Sequence, residues 1–166
     1  MSPTPSHRAG STGGRRVVID ASVVLAFYFP AEPFKPHALT LLASAARGRV
    51  TFALPTLARY EVINALTLAE RGLKRAQRIS RSQARGILDA VLALPAEEHG
   101  LAGLEARIAD LAVGWQRSAY DATYLALAER LDVDLVTGDA RFVRAVAAAF
   151  PRVRLLSDYQ IPPLPR

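Results

Sequence analysis

The chain has 166 residues, 51% of them hydrophobic, no cysteine and a formal net charge of +6. That length and apolar content suit one compact domain, while the lack of cysteine excludes a disulfide framework and a thiolate metal site. No apolar run approaches the ~18–20 residues of a membrane span, so a soluble, cytoplasmic protein is the simplest expectation, and the positive charge favours a polyanionic partner.

Residues 1–14 are rich in Ser, Thr, Pro, Gly and Arg and contain no apolar run. They read as a disordered leader before a domain predicted over 15–158. A fully buried strand is predicted over 16–19, ending at Asp20, and a helix from Ser22 to Phe29 is stopped by Pro30. A helix over 35–47 ends at Arg47-Gly48. Thr51-Phe52-Ala53-Leu54 reads as a strand broken by Pro55, and the helix after it runs from about Thr56 to Arg71, closed by Gly72. Ser80-Arg81-Ser82-Gln83 has the form of a capping box and opens a helix to Leu92. A short strand near 95–98, a helix over 101–114 and a helix from Tyr120 to Leu131 follow. Next come a strand over 133–136, a helix over 140–149 stopped by Pro151, and a last strand from Val153 to Leu156. The tail, 159–166, contains Ile161-Pro162-Pro163-Leu164-Pro165 and reads as extended. Strands alternating with helices predict an α/β fold with a mostly parallel sheet covered on both faces.

Two acids stand just past apolar strands: Asp20 after Val17-Val18-Ile19, and Asp139 after Leu135-Val136-Thr137-Gly138. In open α/β sheets the carboxyl ends of strands line the ligand crevice. Glu61 and Asn64 make a polar notch in an otherwise apolar helix face, and Asp121 heads the face formed by Tyr124, Leu125 and Ala128. Each acid taken alone has a plain structural role. Asp20 and Asp139 suit helix N-caps, Glu61 the rim of the core, and Asp121 the closing position of a capping box begun by Ser118. Jointly they fall at one edge of the sheet. Clustered carboxylates repel one another and are stable as anions with a cation among them; Mg²⁺ and Mn²⁺ favour such oxygen ligands. The histidines, His7, His37 and His99, show no metal-ligand spacing, and neither a phosphate loop nor a Gly-x-Ser-x-Gly elbow occurs.

In Val18-Ile19-Asp20-Ala21-Ser22, Tyr60-Glu61-Val62-Ile63-Asn64-Ala65-Leu66, Tyr120-Asp121-Ala122-Thr123-Tyr124-Leu125-Ala126-Leu127-Ala128 and Leu135-Val136-Thr137-Gly138-Asp139, taken in that order, the sequence resembles the PIN-domain family, and within it the VapC-type toxins of toxin–antitoxin pairs. The resemblance runs from about Val17 to Leu156. It implies a PIN-like three-layer fold and a Mg²⁺- or Mn²⁺-dependent endoribonuclease. Asp20, Glu61, Asp121 and Asp139 would be the acidic metal-binding set, with Ser22, Asn64 and Thr137 as accessory polar positions. It further implies an RNA substrate, a homodimer and a small VapB-like antitoxin that silences the enzyme.

The basic stretch of Arg71, Lys74, Arg75, Arg78, Arg81 and Arg85 has no acid between Glu70 and Asp89, and is a candidate RNA-phosphate contact or a solvated face. Two further readings of the same fold stay open: a PIN nuclease of RNA processing without an antitoxin, and a non-catalytic PIN-like binding module. A haloacid dehalogenase-like phosphohydrolase would need Asp two residues after Asp20, where this chain has Ser22.

Overall fold

A computed structural model describes residues 14–29, 32–73, 78–161 and 163. The leader before residue 14, the basic residues Lys74 and Arg75, and positions 162 and 164–166 of the tail lie outside the described residues. The elements are β1 (Arg15–Ile19), α1 (Ala21–Tyr28), α2 (Lys35–Ala46), β2 (Val50–Pro55), α3 (Leu57–Glu70), α4 (Arg81–Leu92), β3 (Ala96–His99), α5 (Glu105–Gly114), α6 (Ala119–Leu131), β4 (Asp134–Thr137), α7 (Ala140–Val146) and β5 (Val153–Leu155).

The strands form a five-stranded parallel sheet in the order β3-β2-β1-β4-β5. Val17, Val18 and Ile19 of β1 are fully buried, as expected of a central parallel strand covered on both faces. In register, Val17 lies opposite Phe52 on one side and Asp134 on the other. The chain starts at the centre, builds outward through β2 to β3, then returns across β1 to lay down β4 and β5. Right-handed crossovers therefore put the helices before β3 on one face and those after it on the other. The order reverses between β1 and β4, and at such a switch point the loops leaving two neighbouring strands part to opposite faces and leave a crevice. Asp20 and the segment Thr137-Gly138-Asp139 stand at that point.

Local signals in the sequence set most of the boundaries. Gly48 and Gly72 close α2 and α3 in the left-handed region, at φ 70° and 73°. Ser80 and Gln83 form the full capping box that starts α4. The helix predicted over 101–114 begins only at Glu105, because Gly103 adopts φ 81° and Leu101 to Leu104 form a turn instead. The helix predicted over 140–149 ends at Val146, and residues 147–149 continue as turns. Pro55 is the last residue of β2, opposite His99, where its missing N–H costs little. At the opposite end of the sheet from the switch point, Arg15 pairs with the nearly buried Asp134 at 3.0 Å and fastens β1 to β4.

The stretch Ala122 to Ala128 of α6 is buried without a break, so this helix packs on more than one side. Leu127 within it and Leu135 of β4 are fully buried. Leu135→Ala is expected to lower the free energy of unfolding by about 2–5 kcal/mol, whereas Ser80→Ala, which removes only a cap, should cost about 1 kcal/mol. Urea denaturation followed by circular dichroism checks both values.

Candidate active site

The site is built around Asp20. Its backbone N–H still belongs to the sheet, donating to Val136 O at 3.2 Å, while its side chain already belongs to α1, accepting from Val23 N–H at 3.1 Å as the helix N-cap. One carboxylate oxygen, Oδ1, also accepts from Ser22 Oγ at 2.5 Å; the other, Oδ2, accepts from Thr137 Oγ at 2.5 Å. Both hydroxyls are themselves fixed by backbone donors. Gly138 N–H donates to Ser22 Oγ at 2.8 Å and Asp139 N–H to Thr137 Oγ at 2.9 Å. Each hydroxyl thus has its proton directed onto Asp20, and the ends of β1 and β4 are joined through a single carboxylate. Gly138 is required by this close approach, since a Cβ there would lie 2.9 Å from Ser22 Oγ.

Glu61 lies in the first half of α3 and is half-buried. Its Oε2 accepts from the hydroxyl of Tyr124, a nearly buried residue of α6. A buried tyrosine needs a partner for its hydroxyl, and here that need ties α3 to α6. Tyr124 is the residue that sequence reasoning placed on the site's helix face without giving it a role. Its signal was available: a tyrosine one turn after Asp121, in a run of otherwise small and aliphatic side chains.

The electrostatics follow from this enclosure. Burial pushes the Asp20 carboxyl above its ordinary value of 3.8, against the opposing pull of the Ser22 and Thr137 hydroxyls. Glu61 is raised above 4.5, first by burial and then by the negative charges of Asp20 and Asp121, with the Tyr124 hydrogen bond working the other way. Burial and the Glu61 charge push the Tyr124 phenol far upward, so it stays a donor. Asp20 and Asp121 are therefore both within electrostatic reach of Glu61, and among the described residues none of the three makes an ion pair.

Asp121 is partly exposed in the first turn of α6, where its backbone N–H donates to Ser118 Oγ at 3.0 Å. Asp139 is exposed and caps α7, its Oδ1 accepting from Arg141 N–H at 2.8 Å and Phe142 N–H at 3.0 Å. Asp139 nevertheless adjoins the Asp20 network through its own N–H. Asn64 is exposed, one turn after Glu61. Among the described residues no three Asp, Glu or His side chains stand close enough together to hold an ion between them. Hydrogen bonds divide the acids instead: hydroxyls hold Asp20, a phenol holds Glu61, and helix N–H groups hold Asp139. The donor set does fit a hard divalent cation. It consists of oxygens, lacks thiolate and imidazole, and has raised carboxyl pKa values that a cation would relieve.

The PIN domain profile matches residues 17–148. The chain belongs to the PIN-domain family. Members of this family are typically nucleases that use divalent metals. Among solved structures, PAE2754 from Pyrobaculum aerophilum is similar at a TM-score of 0.58 and 24% identity, over 86% of this chain and 88% of that one. VapBC2 from Rickettsia felis, solved bound to a DNA fragment from its promoter, is similar at a TM-score of 0.58 and 15% identity, over 84% of this chain and 96% of that one. At these identities the likeness is one of fold. Among curated proteins none matches the chain by sequence. No helix among the described residues is long and apolar enough to cross a membrane.

The raised carboxyls of this PIN domain make a stability prediction. A carboxyl whose pKa is higher folded than unfolded binds its proton more tightly in the native state. Its contribution to stability is therefore greatest at low pH and falls as pH rises through the window above 3.8 for Asp20 and above 4.5 for Glu61. In chelator at neutral pH, Asp20→Asn should melt higher than the wild type and show a flatter dependence on pH. Thermal melts at several pH values test this; a variant that melts lower, with the wild-type pH slope, would show that burial of the Asp20 charge is not a strain on the fold.

Proposed function

We propose that this chain is a divalent-metal-dependent endoribonuclease of the VapC type, the toxin of a toxin–antitoxin pair. The observation that carries the reading is a set of desolvated carboxylates at the switch point of a PIN fold, with no basic side chain bonded to them among the described residues. Asp20, Glu61 and Asp121 would hold Mg²⁺ or Mn²⁺, and Asp139 would complete the set through water. When bound, the cation supplies Lewis acidity toward a phosphodiester oxygen and lowers the pKa of a water molecule.

The chain's own residues do the positioning. Ser22 and Thr137 fix both oxygens of Asp20, so that carboxylate is oriented before any ligand arrives. Tyr124 does the same for Glu61 and, held protonated, excludes a competing negative charge. Neutralising Glu61 by protonation would remove one charge from the set, so activity should rise with pH through the window above 4.5 as Glu61 ionises. The likeness to VapBC2, a pair solved together on DNA, supports a small VapB-like antitoxin as partner. A homodimer is the oligomeric state expected of such a toxin.

Arg71, Arg78, Arg81 and Arg85 are exposed and would take RNA phosphates. Arg71 follows Glu61 by ten residues on the same helix, roughly 15 Å along its axis, which suits a strand leaving the site rather than the scissile phosphate itself. Arg78 also donates to Glu70 O at 3.1 Å, capping α3, and Arg85 faces Asp89 at 3.8 Å.

RNA should be cut with Mg²⁺ or Mn²⁺ and spared in chelator, and Asp20→Asn or Asp121→Asn should abolish cutting. Ser22→Ala should lower it about 10- to 100-fold by loosening Asp20. Gel-resolved cleavage of a labelled single-stranded RNA measures all of these, and cutting that persists in chelator would refute the mechanism. In the double variant Arg81→Glu, Arg85→Glu, the slope of log affinity against log salt should flatten by about 0.7 for each lost phosphate contact. A filter-binding salt series giving an unchanged slope would assign these arginines to a solvated face.

A further inference from the structure

Of the three tyrosines carried by α3 and α6, Tyr60 and Tyr120 face solvent, while Tyr124 is only 3% exposed. Its phenol links the segments that carry Asp20 and Glu61. The hydroxyl donates to Glu61 Oε2, and the backbone N–H of Ala21, the residue after Asp20, faces the phenol oxygen. A phenol has one proton to give, and here it is committed to Glu61.

An acceptor count shows what these bonds leave open. A carboxylate offers about four lone-pair positions, divided between its oxygens. On Asp20, Oδ1 already accepts from Ser22 Oγ and Val23 N–H, and Oδ2 from Thr137 Oγ, so at most one position is left, on Oδ2. On Glu61, Oε2 accepts from Tyr124, and Oε1 has no partner among the described residues. A cation approaching Oε2 would meet the positive end of the O–H dipole; one approaching Oε1 would not. Each of these part-buried carboxylates is thus prepared to offer one oxygen and not a chelating pair. Hard cations differ in what they ask of a carboxylate. Mg²⁺ demands near-ideal octahedral geometry and keeps several waters, whereas Ca²⁺ takes roughly 6–8 oxygens and readily uses both of a carboxylate.

We propose that Tyr124 makes Glu61 a one-oxygen ligand and thereby sets a preference of the site for Mg²⁺ over Ca²⁺. The inference rests on the metal-dependent nuclease reading and assigns the choice of cation to a residue outside the acidic set. Tyr124 is a positioning residue, acting through Glu61. The plainer role, a bolt between α3 and α6, predicts that loss of the hydroxyl weakens every cation alike.

The test uses the full chain and Mn²⁺ as a paramagnetic probe, with Mg²⁺ and Ca²⁺ as competitors. Electron paramagnetic resonance of free Mn²⁺ gives its dissociation constant, and displacement gives those of the other two. In wild type, Mg²⁺ should displace Mn²⁺ at lower concentration than Ca²⁺ does. Tyr124→Phe, which deletes one oxygen and keeps the ring, should shift the ratio of the two affinities toward Ca²⁺ by about 10- to 100-fold. Thr137→Val is the control. It frees Asp20 Oδ2 but leaves both bonds on Oδ1, so affinities should fall together with their ratio unchanged. Wild-type protein labelled with ¹³C-glutamate reads the ligation mode without any variant. In infrared difference spectra with and without Mg²⁺, a wide separation of the antisymmetric and symmetric carboxylate stretches marks one-oxygen binding. The proposal is overturned if Tyr124→Phe leaves the ratio unchanged, if Thr137→Val shifts it equally, if wild type prefers Ca²⁺, or if the infrared separation is the narrow one of a chelating carboxylate. Failure of the two readings can be told apart. A wild type that binds Mn²⁺ no better than Asp20→Asn removes the metal-dependent reading and this inference with it. A wild type that binds Mn²⁺ and cuts RNA, with an unchanged ratio in Tyr124→Phe, removes the tyrosine role alone.

Discussion

The Asp20 carboxylate is the point on which this molecule turns. It ends the central strand, begins the first helix, and through Ser22 and Thr137 joins the loop after β1 to the loop after β4. Those loops come from segments 117 residues apart in sequence. Hydroxyl-to-carboxylate hydrogen bonds hold them at this spacing, and being charge-assisted they are the strong kind. The arrangement also explains Gly138, whose lack of a side chain lets the β4 loop approach Ser22.

The same bonds create an imbalance. They orient Asp20 and Glu61, yet among the described residues no counter-charge pairs with either, and Asp121 adds to the charge on Glu61. Removing a carboxylate from water without a counter-charge costs several kcal/mol unless the group takes up a proton or a cation. A protein selected for stability alone would place an arginine or an amide there. This chain does so elsewhere: Arg15 answers Asp134, and Arg107 answers Glu129 with two bonds of 2.8 and 2.9 Å. The contrast between these paired acids and acids at the switch point that have no ion pair among the described residues argues for a ligand of positive charge. The chain as a whole, at a net charge of +6, presents the opposite sign to an anionic polymer.

Much of this was legible in the sequence because the signals are local. An apolar run ending in an acid marked β1, glycines at the left-handed positions marked the ends of α2 and α3, and Ser80 with Gln83 marked α4. The alternation of strands and helices led to the parallel sheet, and with it to the edge that carries Asp20 and Asp139. What was not legible depends on contacts distant in sequence. Nothing near Glu61 announces that Tyr124, 63 residues on, will bond to it. Asp139 sits where an acid suits both a cap and a metal ligand, and spacing does not rank the two; its side chain caps α7. The late start of α5 turns on one glycine, Gly103, whose positive φ follows from the turn after β3 and not from its neighbours' helix preference. Exposure was equally out of reach. Tyr60 and Tyr120 have the same local pattern as buried tyrosines, and only the packing of α3 and α6 leaves them facing solvent.

The central claim is that the acids at the switch point are arranged for a divalent cation. Diffraction from crystals grown with Mn²⁺, recorded at a wavelength where manganese scatters anomalously, tests it most directly. The account predicts an anomalous peak bound by Asp20 together with Glu61 or Asp121, with Ser22 and Thr137 still donating to Asp20. A fully ordered site with no peak there at saturating Mn²⁺, or a peak held by other residues of the chain, would contradict it.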